Sequence, residues 1–243
     1  MDPLAPVLSL PGVADDVAAA RTAVDVLLAH RVLRRRAGDV AAESSLRGAW
    51  ASAVLAGSAA QLPDVRAGAA AGDPVVQGSL RAYAAIPTLA ETWRHAPRQA
   101  LARLHTLAAA GQVDEDRLGR PSARAEVAQR LDLLASVLAD TRAPAVVVAG
   151  LVHAEVLALD AFPPVSGVLA CAGARLVLIE RGLDPRSLVL PEAAHLADRN
   201  GYADAITRYG TDADVAGWVR YFAGAVVAGA RETTAICEAV KRG

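Results

Sequence analysis

The stretch VHAEVLALDAFPPVSGVLACAGARL, residues 152–176, contains two helical segments separated by a short loop. Pro163 and Pro164 interrupt the helical pattern, because proline has no N–H to donate and disfavours helix at the residue before it. Alanine and leucine, which favour helix, dominate on both sides. Gly167 stands where the second segment begins, and the backbone N–H groups of such a position can bind an anion. The stretch therefore predicts a helical hairpin with a candidate binding loop at its turn.

The composition of the whole chain favours helices. Of the 243 residues 53% are hydrophobic and only 4% aromatic, and few stretches alternate with period two, so we expect an all-α fold. A formal net charge of −1 gives no general attraction to nucleic acid or to anionic lipid. No segment has the roughly 18 uninterrupted apolar residues of a membrane span. The N-terminus does not resemble a signal peptide, which predicts a cytoplasmic protein with no nucleic-acid or membrane partner.

Hydrophobic spacing and helix-terminating residues define the expected elements. They predict helices over residues 15–36, 46–57, 75–93, 97–110, 125–139, 144–159, 168–181 and 214–240. A turn-rich linker over 60–74 divides the chain into N-terminal helices over 1–74 and a helical core over 75–243. The run AVVVAG at 145–150 has the composition of a buried strand, but no G-x-G-x-x-G follows it, so a dinucleotide-binding fold is not expected.

The triplet His153-Ala154-Glu155 matches the H-x-E of zinc deaminases, in which a histidine and cysteines hold zinc and the glutamate transfers protons. That chemistry also needs a P-C-x-x-C segment. The two cysteines of the chain, Cys171 and Cys237, are far apart, and no second thiolate is close enough in sequence to complete a metal cage. We therefore expect no metal site.

Residues 160–171, DAFPPVSGVLAC, have a better match. Together with the helical segments around them they resemble the Fic (filamentation induced by cAMP), or Fic/DOC, family, whose central motif is H-P-F-x-[DE]-G-N-G-R-x-x-R. Members of that family are helical proteins that mostly transfer AMP from ATP to a hydroxyl of a target protein. The similarity extends to residues 80–112 and to the segment from residue 200 to 230. It implies a Fic-type helical domain with an N-terminal helical extension.

The resemblance also implies that the catalytic motif is degenerate, since only Phe162 and Gly167 match its defined positions. The departures are Asp160 for the general-base histidine, Pro164 for the acidic metal ligand, Val165 for a glycine, Ser166 for the asparagine, and Val168 and Cys171 for the two arginines. Without those arginines and that acid, a triphosphate finds neither positive charge nor Mg²⁺. Asp160 remains a candidate base. Ser166, Gly167 and Arg175, the last one turn beyond Cys171, remain candidates for binding an anion, unless Arg175 is a surface side chain.

A second family feature is degenerate as well. Many Fic proteins carry an inhibitory helix with the motif [ST]-x-x-x-E-[GN], whose glutamate pairs with the second motif arginine. Ser52 and Gly57 match this motif, whereas Ala56 stands in place of the glutamate. Both members of the ion pair are then absent, which avoids leaving one buried charge without a partner. We expect Ala56 to lie near Cys171.

Three functions follow from these observations. The first is a pseudoenzyme, a non-catalytic protein that binds or regulates an unidentified protein partner and needs no cofactor. The second is a surviving transferase of AMP, another nucleotidyl group or a phosphoryl group to a protein hydroxyl, with Asp160 as base, Arg175 on the phosphate, and ATP and Mg²⁺ as its requirements. The third is an assembly role through self-association, for which a homodimer is the simplest form.

Overall fold

The computed structural model describes residues 2–242, and within that range it contains twelve α-helices and no β-strand. The all-α expectation is confirmed. A single 3-10 turn, Glu115–Arg117, lies in the polar loop between α6 and α7. The helices are α1 Ala5–Leu8, α2 Val13–Leu28, α3 Leu33–Leu55, α4 Leu62–Arg66, α5 Pro74–His95, α6 Pro97–Ala109, α7 Ala125–Asp140, α8 Ala145–Ala158, α9 Ser166–Glu180, α10 Pro191–Ala197, α11 Arg199–Asp212 and α12 Val215–Arg242.

The predicted hairpin, formed by α8 and α9, lies at the centre of the molecule. The two helices pack against each other, and most residues of both are buried. A helix that is apolar on all sides must be enclosed by other elements. Here α5 packs against α9, while α12 packs along α2, α8 and α10, so the loop that joins α8 to α9 is held between buried helices.

One hydrophobic core continues across position 74. It includes Val24 and Leu27 of α2 and Ala49 of α3 together with Val148 of α8 and Leu176 of α9. Helix α3 packs against α5, α9, α10 and α12. The N-terminal helices therefore contribute to the same core as the helices that follow them.

Two of the predicted helices were wrong in their bounds. Instead of helices over 15–36 and 46–57, the chain turns between α2 and α3, and α3 then runs to Leu55 with a kink at Arg36, where φ is −124° and ψ is 28°. The turn brings Leu27, Val32 and Leu33 to the core. In one continuous helix, Leu27 and either of the other two would lie about 120–140° apart around the axis. Burial of all three side chains therefore outweighs the helical pattern of the local sequence.

The remaining bounds agree more closely with the sequence, with smaller differences. The predicted linker over 60–74 contains the short helix α4, and α9 begins at Ser166 rather than at residue 168. Two helices that the spacing did not delimit, α10 and α11, occupy residues 191–212. No helix between residues 2 and 242 combines the length and the apolar character that crossing a bilayer requires.

Candidate functional site

Asp160 ends helix α8 in a left-handed conformation, with φ +42°. Its N–H donates to the carbonyl of Leu157 at 2.9 Å, and the N–H of Ala161 donates to the carbonyl of Val156 at 3.0 Å. This pair of bonds is the Schellman arrangement, in which the left-handed residue is usually glycine. Among other residues only aspartate and asparagine adopt this conformation with some frequency. Asp160 is thus the residue that stops α8, and its side chain is exposed.

A side-chain hydrogen bond then closes the loop. The hydroxyl of Ser166 donates to Oδ1 of Asp160 at 2.7 Å and accepts the N–H of Phe162 at 2.8 Å. A serine hydroxyl carries one proton. In this geometry that proton is committed to Asp160, so Ser166 holds the loop together and has no donor left for a phosphate oxygen.

The inner side of the loop packs on a buried histidine. The ring of His105, from α6, lies 5.5 Å from the ring of Phe162, and its Nδ1 accepts the N–H of Gly119 at 3.1 Å. Burial lowers the pKa of His105, while the carbonyl of Pro163 acts in the opposite direction. The sequence assigned no role to this residue. In the structure its ring packs against Phe162, two residues after Asp160 in the same loop.

Three of the positions that differ from the Fic pattern lie in the core. Val165, Val168 and Cys171 are all buried, with Val168 at 0% exposure. Gly167 lies in the first turn of α9, and no side chain caps that turn. Between residues 2 and 242 no three His, Cys, Asp or Glu side chains come together in a group that could hold a metal ion. Asp160 and Pro164, by contrast, are exposed.

Arg175 is not at the surface. It is 1% exposed, so its interpretation as a surface side chain is wrong. Its Nε and Nη2 donate to Glu192 Oε1 and Oε2 at 2.7 and 3.0 Å, and its Nη1 donates to Ser187. The ring of Tyr83 lies 5.3 Å from the guanidinium carbon. Arg175 therefore forms a buried ion pair between α9 and α10. It makes no hydrogen bond to Asp160 or Ser166.

The helix that resembles the inhibitory segment contributes to this ion pair. The hydroxyl of Ser52 is hydrogen-bonded to the hydroxyl of Tyr83, which donates to Glu192 Oε1 at 2.8 Å. Burial and the charge of Glu192 raise the pKa of Cys171 to about 12, whereas hydrogen bonding with Ser52 lowers it. Ser52 is thus the α3 residue beside Cys171. Ala56, one turn later, is exposed.

Gly57 ends α3 directly after Ala56. It has φ +103°, and it follows the last turn of α3. The N–H of Gly57 donates to Val54 at 3.2 Å and the N–H of Ser58 donates to Ala53 at 3.0 Å, which forms a second Schellman end. The serine and glycine of the motif-like segment therefore have structural roles, in the buried network and in the helix end.

A cleft of about 630 Å³ adjoins the end of α8 and is bordered by α3 and α11. Leu157 and Ala158 form one side of the cleft, and Tyr202 and Ile206 form the other. Arg199 is the one cation among its lining residues. Outside the cleft, Arg124 donates to the carbonyl of Leu159, the residue before Asp160, so a second positive side chain lies beside the loop.

The fold is shared with a solved protein. The crystal structure of a Fic family protein from Desulfovibrio desulfuricans G20 matches with a TM-score of 0.78, over 93% of this chain and 75% of that one, at 19% sequence identity. No family model matches the sequence, and no curated protein does. The expected Fic-type fold is confirmed. At this level of identity the likeness concerns the path of the chain and not its chemistry.

Proposed function

We propose that this Fic-fold chain is a pseudoenzyme, a non-catalytic binding or regulatory protein that acts on an unidentified protein partner. The observation that carries the proposal is the burial of Val168 and Cys171, at the positions where the family motif has its two arginines. Binding of a triphosphate depends on positive side chains or on a divalent ion to balance its charge. Here both positions belong to the hydrophobic core.

The hydrogen bonds of Ser166 and Arg175, the two polar candidates for binding an anion, support the same proposal. The hydroxyl of Ser166 donates a hydrogen bond to Asp160, and the guanidinium of Arg175 is paired with Glu192. Each of these contacts holds two parts of the fold together. A nucleotide would have to break them before it could use either side chain.

Thermal unfolding in the presence of ATP, ADP and CDP-choline, each with and without Mg²⁺, tests the proposal. We expect no change in Tm with any of them. A ligand at a hundred times its Kd would add about 2.7 kcal/mol, which is about 5–10 °C for a chain of this size. An ATP-dependent rise of that size would overturn the proposal. Loss of the rise in Arg199→Ala would then locate the nucleotide in the cleft beside the loop.

The alternative is a transferase that uses Asp160 as its base. It is favoured by one observation: Asp160 is exposed, and Ser166 bonds only its Oδ1. Asp160 follows Ala158, which lines the 630 Å³ cleft, by two residues. Incubation with labelled ATP and a cell lysate tests it. The matched variant is Asp160→Asn, which keeps an oxygen for Ser166 and removes the basic group. Label on a protein with the wild type but not with Asp160→Asn would establish the transferase and exclude the pseudoenzyme.

A further inference from the structure

A separate cavity of about 210 Å³ lies between α1, α7 and α8. It shares no lining residue with the loop 160–171 or with the cleft beside that loop. Nine of its twelve lining residues are aliphatic, among them Leu134 and Val137 of α7 and Leu151 of α8. A mostly apolar cavity with a few convergent polar groups is the usual form of a small-molecule site.

The three polar residues of the cavity are bonded to one another. Glu155, which is nearly buried, accepts the Nε of Arg130 at 3.0 Å and also the Nη2 of the same guanidinium. The hydroxyl of Tyr209 donates to the same carboxylate. Both oxygens of Glu155 are therefore occupied, so the carboxylate has little capacity to receive a cationic ligand.

The charges around the cavity also disfavour an anion. The positive charge of Arg130 is balanced by Glu155, and the exposed Glu126 lies close enough to attract it as well. No unbalanced positive charge faces the cavity. Arg130 bonds Glu155 through Nε and Nη2. Its Nη1 makes no hydrogen bond to any residue from 2 to 242, so Nη1 can donate to one neutral acceptor.

The cavity reaches the molecular surface. Leu133, one of its lining residues, is 58% exposed and is one of two large hydrophobic side chains exposed to this degree between residues 2 and 242; the other is Val26. An apolar cavity of about 150 Å³ holds benzene. A volume of about 210 Å³ is suited to a molecule somewhat larger than that.

The geometry points to a binding site for an uncharged small molecule, with an alkyl or aromatic body among the aliphatic side chains and one hydroxyl or carbonyl oxygen that accepts from Arg130. This inference is independent of the function proposed for the loop, because the two sites have no lining residue in common. It requires no catalytic step.

Three probes with the same alkyl chain and different head groups test the charge preference: 1-octanol, octanoate and octylammonium. We expect octanol to raise the Tm of the full chain by about 3 °C or more at ten times its Kd, and the two ions to have little effect. Equal shifts with all three, or no shift with octanol up to its solubility, would overturn the inference.

Two variants with the same substitution test the location. Val137→Phe fills the cavity, whereas Val26→Phe adds the same ring to an exposed position that does not line it. The octanol-dependent rise in Tm is expected to persist in Val26→Phe and to be lost in Val137→Phe. An equal rise in both variants would contradict the assigned site.

Methyl NMR of the wild type provides a test that does not depend on the folding of any variant. Octanol should shift the methyl signals of Leu134, Val137 and Leu151 and leave those of residues outside the cavity unchanged. Shifts spread over the whole surface would overturn the site. Concentration-dependent sedimentation that Val137→Phe abolishes would assign the cavity to a second copy of the chain instead.

Discussion

At the scale of single residues, Asp160 has a structural role at the end of α8. It occupies the left-handed position that ends α8, and it accepts the hydroxyl of Ser166. Alanine in such a conformation costs about 1–2 kcal/mol, whereas glycine adopts it freely. The backbone requirement and the hydrogen bond together account for an aspartate at this position without any catalytic chemistry.

Substitution of Asp160 should therefore follow backbone preference. We expect Asp160→Ala to lower the free energy of unfolding by about 1–2 kcal/mol, because it combines the strained conformation with loss of the bond to Ser166. Asp160→Asn keeps an acceptor and should remain within about 0.5 kcal/mol of the wild type. Urea denaturation measures the difference. Equal effects of Ala and Asn would show that neither the left-handed backbone nor the hydrogen bond matters here.

At the scale of elements, α3 is held against the core by a close approach as well as by hydrogen bonds. Gly48 faces Arg175 and Tyr83, and a Cβ at this position would come within 2.6 Å of Nη2 and 2.7 Å of Cε1. The guanidinium cannot easily move aside, because Glu192 and Ser187 hold it. The packing of α3 on α9 thus depends on a residue without a side chain.

Two glycines of the same helix provide a matched test. Gly48→Ala should lower the free energy of unfolding by about 1–3 kcal/mol, since the added methyl overpacks the buried ion pair. Gly38→Ala has open space around the new Cβ and should raise it by about 0.5–1 kcal/mol, because alanine favours helix. Urea denaturation measures the free energy of unfolding of both variants. A stabilising Gly48→Ala would mean that α3 does not pack as closely as described.

At the scale of the whole molecule, a buried aromatic cluster joins four helices. His153 of α8 is hydrogen-bonded to the hydroxyl of Tyr202 of α11 at 2.7 Å, and His195 of α10 to that of Tyr221 of α12 at 3.2 Å. The two imidazole rings lie 5.2 Å apart. Burial lowers the pKa of His195 to about 3, and burial together with the nearby His195 lowers the pKa of His153 well below its usual value. Both side chains are therefore uncharged in the folded protein at neutral pH.

Stability should decrease on mild acidification for this reason. The unfolded chain protonates both histidines below about pH 6.5, whereas the folded protein does not, so their contribution is complete above that pH and is lost as the pH falls. The expected slope between pH 6.5 and 5 is up to about 1.4 kcal/mol per pH unit for each histidine. It is measured by urea denaturation at a series of pH values.

Two histidine variants separate this effect from general acid sensitivity. His195→Phe keeps an aromatic ring in the cluster and should reduce the slope by up to the contribution of one histidine. His95→Gln, at an exposed position next to Glu91, should leave the slope unchanged. Equal slopes in the wild type and His195→Phe would contradict the assignment.

Much of the helical structure was predictable from local sequence. The bounds of α5, α6, α7 and α8 agree with the spacing to within two residues at each end, because alanine, leucine and the flanking prolines act within a few residues. The turn between α2 and α3 was not predictable in this way. It depends on burial of Leu27, Val32 and Leu33 against helices that come much later in the chain.

The candidate site shows the same division. Replacement of the motif residues at 160–171 was visible in the sequence, and so was the loss of positive charge that goes with it. The partners of Arg175 were not, although a lone arginine in the apolar sequence of α9 could have signalled a buried pair. Tyr83 and Glu192 are 92 and 17 residues away from it, and no local pattern selects them.

The amino-acid sequence by itself determined that the chain is helical, where most of its helices end, and that residues 160–171 contain no lysine or arginine. Only the tertiary structure decided that Ser166 bonds Asp160, that Arg175 pairs with Glu192, and that an apolar cavity opens beside Arg130. The reason is physical. Helix propensity and charge belong to residues and their near neighbours, whereas the partner of a polar side chain depends on which helices become adjacent when the core forms.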